Sequence, residues 1–131
     1  MKLIKLALIA TLSFGVANAD NVMQKSMDLM DQGMTKIQKG FINSNIALIK
    51  EGAKLVNEGN ALFSDKKVIK EYLPKDKKHM LNVAENASKR INLDLNVLNL
   101  NLDDKAYINA SNAYSDMLNA CSRCHSIIRE W

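Results

Sequence analysis

Met23, Met27, Met30, Met34, Ile37 and Phe41 recur at spacings of 4, 3, 4, 3 and 4, which is one face of an α-helix sustained for about five turns. A strand repeats every two residues, so this segment has to fold as an amphipathic helix and find other helices to cover it. Lys39-Gly40 and the cluster Asn43-Ser44-Asn45 are expected to end this helix and cap the next. Ile46, Ile49, Ala53, Val56 and Phe63, with Leu48, Leu55 and Leu62 beside them, predict a second helix over 44–63. The stretch 64–75 contains Ser64-Asp65-Lys66-Lys67 and the only proline, Pro74, and reads as a connection with one helical turn at 68–73. Pro74 stands where a third helix should begin.

That third helix carries Met80, Val83, Ala87, Ile91, Leu95, Leu98 and Leu102 on one face. Within it, residues 91–97 also alternate as Ile-Asn-Leu-Asp-Leu-Asn-Val, a strand pattern of period two. Helix is the better reading, because a lone strand would have no partner in this chain. Asp103-Asp104 is then expected to open a last helix with the face Tyr107, Ala110, Tyr114, Met117 and Cys121. Four amphipathic helices joined by short connections predict an all-α protein, an antiparallel four-helix bundle running up-down-up-down. In that topology the start of the first helix lies beside the end of the last, so the methionines near the N-terminus come close to Cys121, Cys124 and His125.

Residues 1–20, MKLIKLALIATLSFGVANAD, combine two lysines, an apolar run from Leu6 to Val16 and the small-x-small sequence Ala17-Asn18-Ala19. This is the pattern of a secretory signal peptide over 1–19, cleaved after Ala19. A membrane anchor needs about 18 unbroken apolar residues, and Thr11, Ser13 and Gly15 interrupt this run. The expected mature chain is 20–131, exported to the periplasm, one domain, with no second apolar span. Removing Lys2 and Lys5 leaves 16 basic against 14 acidic residues, an excess of +2. That is too little for the basic stripe of a nucleic-acid binder, and 5% aromatic residues offer few stacking platforms.

Export changes the meaning of the only two cysteines. Cys121-Ser122-Arg123-Cys124-His125 is the C-x-x-C-H signature of covalent haem attachment. Two thiols three residues apart on a helix face the same side and can add to the two vinyl groups of one porphyrin. His125 is then carried beneath the ring as a ligand to iron. Three other readings compete. A thioredoxin-type dithiol wants a preceding strand and a βαβ context, and neither is present. A zinc site from Cys121, Cys124, His125 and His79 is strained, since Cys124 and His125 diverge on a helix. A disulfide across so short a loop would stabilise almost nothing. The reading that follows is one covalent haem c.

A C-terminal C-x-x-C-H on the last of four helices, in an exported chain of this length, resembles the class II cytochromes c, the family of cytochrome c′ and its low-spin relatives. The resemblance spans the mature chain in order and length, and its specific residues are Cys121, Cys124, His125 and Arg129, the last being a basic residue four after the histidine that the family often sets near the exposed haem edge. The family's first helix tends to read Arg-Gln-x-x-(Leu or Met), with the last residue over the distal face. Here the segment is Met23-Gln24-Lys25-Ser26-Met27, which keeps the Gln and the Met and lacks the Arg. The resemblance implies Met27 as the distal residue, ahead of Met23 and Met30. His79, at the start of the third helix, is the rival ligand. It also implies dimerisation in many members through the first two helices, which nothing in this sequence selects.

The sixth iron position then separates two functions. A methionine there gives low-spin iron suited to electron transfer; a non-ligating side chain leaves iron open to NO or CO, as in the family's high-spin branch. Four methionines on the covering face favour the electron carrier. No phosphate loop, Ser/His/Asp set or nucleophile elbow points to an enzyme. Lys66, Lys67, Lys70, Lys75, Lys77 and Lys78 cluster around one connection; the plain reading is a solvated basic loop, and the sharper one a docking patch for an acidic redox partner protein, where charge speeds encounter more than it tightens binding.

Overall fold

The computed structural model describes residues 19–129, so the leader expected over 1–19 lies outside them apart from Ala19. The protein is all-α. Helices α1 (Ala19–Ile42), α2 (Ile46–Phe63), α3 (Lys66–Tyr72), α4 (Leu81–Asp103) and α5 (Tyr107–Ile128) are joined by short turns, with a 3-10 helix (Lys75–Met80) between α3 and α4. Among the described residues there is no strand.

The stripe on α1 is buried as its period requires: Met23, Met30 and Ile37 are inside, with Met27, Met34 and Phe41 half-buried against them. Lys39-Gly40 does not end this helix, which runs on to Ile42. The chain reverses at Ser44, in the left-handed region at φ 52°. Asn45 caps α2, its side-chain oxygen accepting the Leu48 N–H at 3.0 Å, so the second helix starts at Ile46 rather than 44. Gly40 serves a different purpose: a Cβ there would lie 2.5 Å from Ile49 Cγ1 and 2.9 Å from the Ile49 backbone nitrogen. The same holds at the Gly33–Gly52 crossing, where a Cβ on either residue would sit about 2.5 Å from the other's carbonyl oxygen. Glycines therefore let α1 and α2 pack backbone to backbone. The crossings Gly40–Ile49, Gly33–Gly52 and Met30–Gly59 set the two helices antiparallel. Buried Ser26 fastens the same seam, its Oγ donating to the Gly59 carbonyl at 2.7 Å.

The connection after α2 is more structured than its sequence suggests. It contains two full turns of helix, capped where the Asp65 carboxylate accepts the Lys67 N–H at 2.8 Å and held inward by Ile69 and Leu73. Pro74 forbids helical geometry at Leu73, whose ψ is 134°, so α3 stops there. The next long helix starts at Leu81, after the 3-10 segment, rather than at Pro74.

Helix α4 settles the ambiguity at 91–97. The alternation is two interleaved i, i+4 pairs: Ile91 and Leu95 point into the core, Leu93 and Val97 to solvent. In its first turns Ala84 and Ser88 take the buried places, and Val83 and Ala87 are only half-buried. Asp103 closes α4 instead of opening the last helix. Lys105 turns the chain at φ 59°, and α5 begins at Tyr107. Tyr107 is accordingly 45% exposed and not on the inner face, which is Ala110, Ala113, Met117, Ala120 and Cys124.

Three further contacts order the long helices. Fully buried Asn60 on α2 donates through Nδ2 to the Ser88 carbonyl at 3.0 Å and to Asn92 Oδ1 at 2.8 Å on α4. Arg90 on α4 reaches Asp94 and, at 2.9 Å, Asp116 on α5. Phe41 on α1 packs against Tyr114 on α5 with ring centroids 6.2 Å apart. At the far end of α1, Met27 faces the end of α5. Among the long helices, α1–α2, α2–α4, α4–α5 and α1–α5 thus pair antiparallel.

Candidate functional site

Cys121, Cys124 and His125 occupy the last two turns of α5. Cys124 belongs to the buried face, Cys121 lies half-buried one turn earlier, and both thiols are free. Burial raises the pKa of each thiol above its ordinary value. At Cys121 the neighbouring Cys124 adds to the rise, and at Cys124 the Arg129 guanidinium opposes it. Both are therefore protonated at neutral pH, poor nucleophiles towards solution oxidants and compact enough to pack as apolar groups. His125 is shifted the other way. Burial, and then Arg129, lower its pKa. Its imidazole is neutral near pH 7, the form that offers a lone pair to a metal.

A cavity of about 20 Å³ lies against this end of α5. His125, Cys124, Ile128 and Arg129 form one wall; Met27 of α1, Phe63 of α2, Ala84 of α4 and Ile69, Tyr72 and Leu73 around α3 form the rest. Its lining is mainly apolar, with Tyr72, Cys124, His125 and Arg129 the residues that carry polar groups, and it has room for about one water. A larger open groove of about 600 Å³ runs between α4 and α5, lined by Val83, Ala87, Arg90, Asp116, Arg123 and the other flank of Cys124. Cys124 thus borders both spaces.

Met27, Cys124, His125 and Arg129 therefore come together around one cavity, and Cys121 sits on the adjoining turn. Arg129 is tied to this corner by its backbone N–H, which donates to the His125 carbonyl at 2.8 Å. Met23 and Met30 are not in the wall; both are buried elsewhere in the core, Met30 against Gly59. His79 is exposed on the 3-10 helix and outside the cavity. Among the described residues no three His, Cys, Asp or Glu side chains are grouped so as to hold a metal ion by themselves.

Sequence reasoning missed Ile69, Tyr72 and Leu73 as wall residues. Their i, i+3, i+4 spacing was the signal, hidden by the flanking Lys66-Lys67 and Pro74 that made the segment read as a connection. The other face of α3 carries Lys67 and Lys70, exposed, and Lys66, paired at 2.8 Å with the largely buried Glu85. Half of the basic cluster, Lys66, Lys67 and Lys70, is thus built on the outer side of a helix whose inner side borders the cavity, and Lys75, Lys77 and Lys78 follow on the 3-10 helix. No helix among the described residues is long and apolar enough to cross a membrane. No known protein family, curated protein or solved structure matches the chain.

Proposed function

We propose that this chain is an exported, periplasmic monohaem c-type cytochrome of the class II kind: an antiparallel four-helix bundle that carries electrons through one covalent haem c. Cys121 and Cys124 hold the haem, His125 is its proximal ligand, Met27 its sixth ligand, and Arg129 a cation at its edge. The observation that carries this reading is the meeting of Met27 with His125 across one apolar cavity, on the helix whose last turns bear both thiols.

The donor set fits the group. Two thiols one turn apart match the two vinyl positions of a single porphyrin. A neutral imidazole and a thioether, brought to one cavity from α5 and α1, are donor types that would hold a haem iron. His125 and Met27 would offer an iron ion only two donors between them, so its remaining ligands would have to come with the group itself, as they do in a porphyrin. When bound, the haem supplies one-electron chemistry at its iron. The chain's own part is to hold His125 neutral and oriented, to offer Met27 as a weak neutral ligand, and to keep water out with Phe63, Ile69, Leu73 and Ala84. A space of about 20 Å³ is far smaller than a porphyrin, so these walls must part for haem to enter. The least anchored of them is α3, seven residues long with Ile69 as its one buried side chain. Lys67 and Lys70 on its outer face then lie where an acidic redox partner would approach.

The absorption spectrum of the purified oxidised and reduced protein tests this. A low-spin haem c with a methionine–iron band is expected. A high-spin spectrum with ready uptake of CO or NO would replace the electron carrier with the gas-binding alternative, in which Met27 covers the iron without ligating it.

A further inference from the structure

The open groove of about 600 Å³ between α4 and α5 lies outside the haem site proposed above, since neither His125 nor Met27 lines it. Its volume is that of a small-molecule site, roughly 300–1,000 Å³. Ala87 of α4 and Ala120 of α5 both line it, and side chains this small leave the space between the two helices unfilled. At one end the Asp116 carboxylate accepts from Arg90 Nη2 at 2.9 Å, and Arg90 is shared with Asp94, which accepts from its Nε at 2.9 Å. Two carboxylates thus meet one guanidinium, so this end keeps acceptor capacity to spare. Seven residues further along α5, about 10 Å away at the helical rise, Arg123 lines the groove too. It is exposed, and its guanidinium has no ion pair or hydrogen bond with any described residue. The groove is therefore an acceptor at one end, apolar in the middle and cationic at the other.

We propose that this groove binds a hydroxyaryl carboxylic acid, with its carboxylate on Arg123, its rings against Ala87 and Ala120, and its hydroxyl donating to Asp116. Each part of the ligand answers a part of the groove. An unpaired guanidinium takes a carboxylate through two parallel N–H bonds. An inorganic anion would satisfy Arg123 and leave the apolar lining wet, whereas a neutral aromatic would cover the lining and leave Arg123 unused. A span of about 10 Å between the two polar ends asks for a body of about two fused rings. The groove is open to solvent, so binding is modest, with a dissociation constant of about 0.1–1 mM. The inference uses neither the thiols nor His125 and stands apart from the haem reading.

Isothermal titration calorimetry of the purified protein with 6-hydroxy-2-naphthoate, up to about 5 mM, tests it. Saturable binding is expected. Arg123→Gln, a change at an exposed position that leaves the core intact, should weaken it by about 5- to 10-fold. Ala87→Leu, which fills the middle of the groove, should abolish it, with urea unfolding showing that the variant is folded. The parent acid 2-naphthoate, which lacks the hydroxyl, should bind about 3- to 10-fold more weakly, and Asp116→Ala should bring the two acids to within about 2-fold of each other. The absence of saturable binding overturns the proposal. So does binding that ignores Arg123→Gln or folded Ala87→Leu, or equal affinity of the unaltered protein for the two acids.

Discussion

Replacing Met27 by alanine separates a ligand from a packing residue. Met23, Met27 and Met30 share one face of α1, but only Met27 borders the cavity with His125. Truncating a fully buried methionine costs about 2–5 kcal/mol. Met23 and Met30, 0% and 6% exposed, belong in that range, whereas half-buried Met27 belongs at about 1–2 kcal/mol, since fewer of its contacts are lost. Stability and ligation should therefore divide oppositely along the stripe. Met27→Ala should lower the urea midpoint least, yet turn a low-spin spectrum high-spin, admit CO to the reduced protein within milliseconds to seconds of mixing, and lower the reduction potential, because a thioether favours ferrous iron. Met23→Ala and Met30→Ala should lower the midpoint more and leave the spectrum alone. The variants are compared by absorption spectroscopy, stopped-flow CO binding and urea unfolding. If Met23→Ala or Met30→Ala changes the spin state while Met27→Ala does not, the register assigned to α1 is wrong. If only His79→Ala removes the sixth ligand, the cavity is not where ligation occurs.

Gly52→Ala forces a Cβ to within 2.5 Å of the Gly33 carbonyl and 2.8 Å of Ile37. The overpacking penalty of about 1–3 kcal/mol should exceed the helix-propensity gain of about 1 kcal/mol, so urea unfolding should show a net loss; a gain would refute the close α1–α2 seam. In haem-free chain the depressed His125 pKa means that the unfolded state takes up its proton first. Stability should therefore be intact above the unfolded value of about 6.5 and fall as pH drops from there through the folded value. Urea midpoints across pH 5–8 check this, and His125→Gln should flatten that part of the profile. Exchanging Lys67 and Lys70 together for glutamate should slow oxidation of the reduced protein by ferricyanide, an anionic oxidant, by several-fold at low salt and little at high salt; a salt-independent rate would remove these lysines from the approach path.

The long helices were legible because a period near 3.6 admits one backbone. Even the alternation at 91–97 yields to it once Ile91 and Leu95 are read as one i, i+4 pair and Leu93 and Val97 as another. What escaped were features whose meaning lies in a partner segment. Gly40 resembles a helix terminator until Ile49 is seen against it, and the Gly33–Gly52 crossing has no signature in either helix alone. Asp103-Asp104 reads as a helix start, but the turn at Lys105 makes it an end. The antiparallel order of neighbouring helices brings the start of α1 to the end of α5, as expected from short connections, and Met27 lines the cavity bordered by His125. The walls contributed by Ile69, Tyr72 and Leu73 were not foreseen, because seven helical residues between lysines and a proline give too short a period to recognise.

The most direct test of the account is the intact mass of the exported protein after acid–acetone extraction. The account predicts a single species, the chain beginning at Asp20 and carrying one haem that extraction leaves in place. A haem that extracts freely, or a chain that carries none, would contradict it.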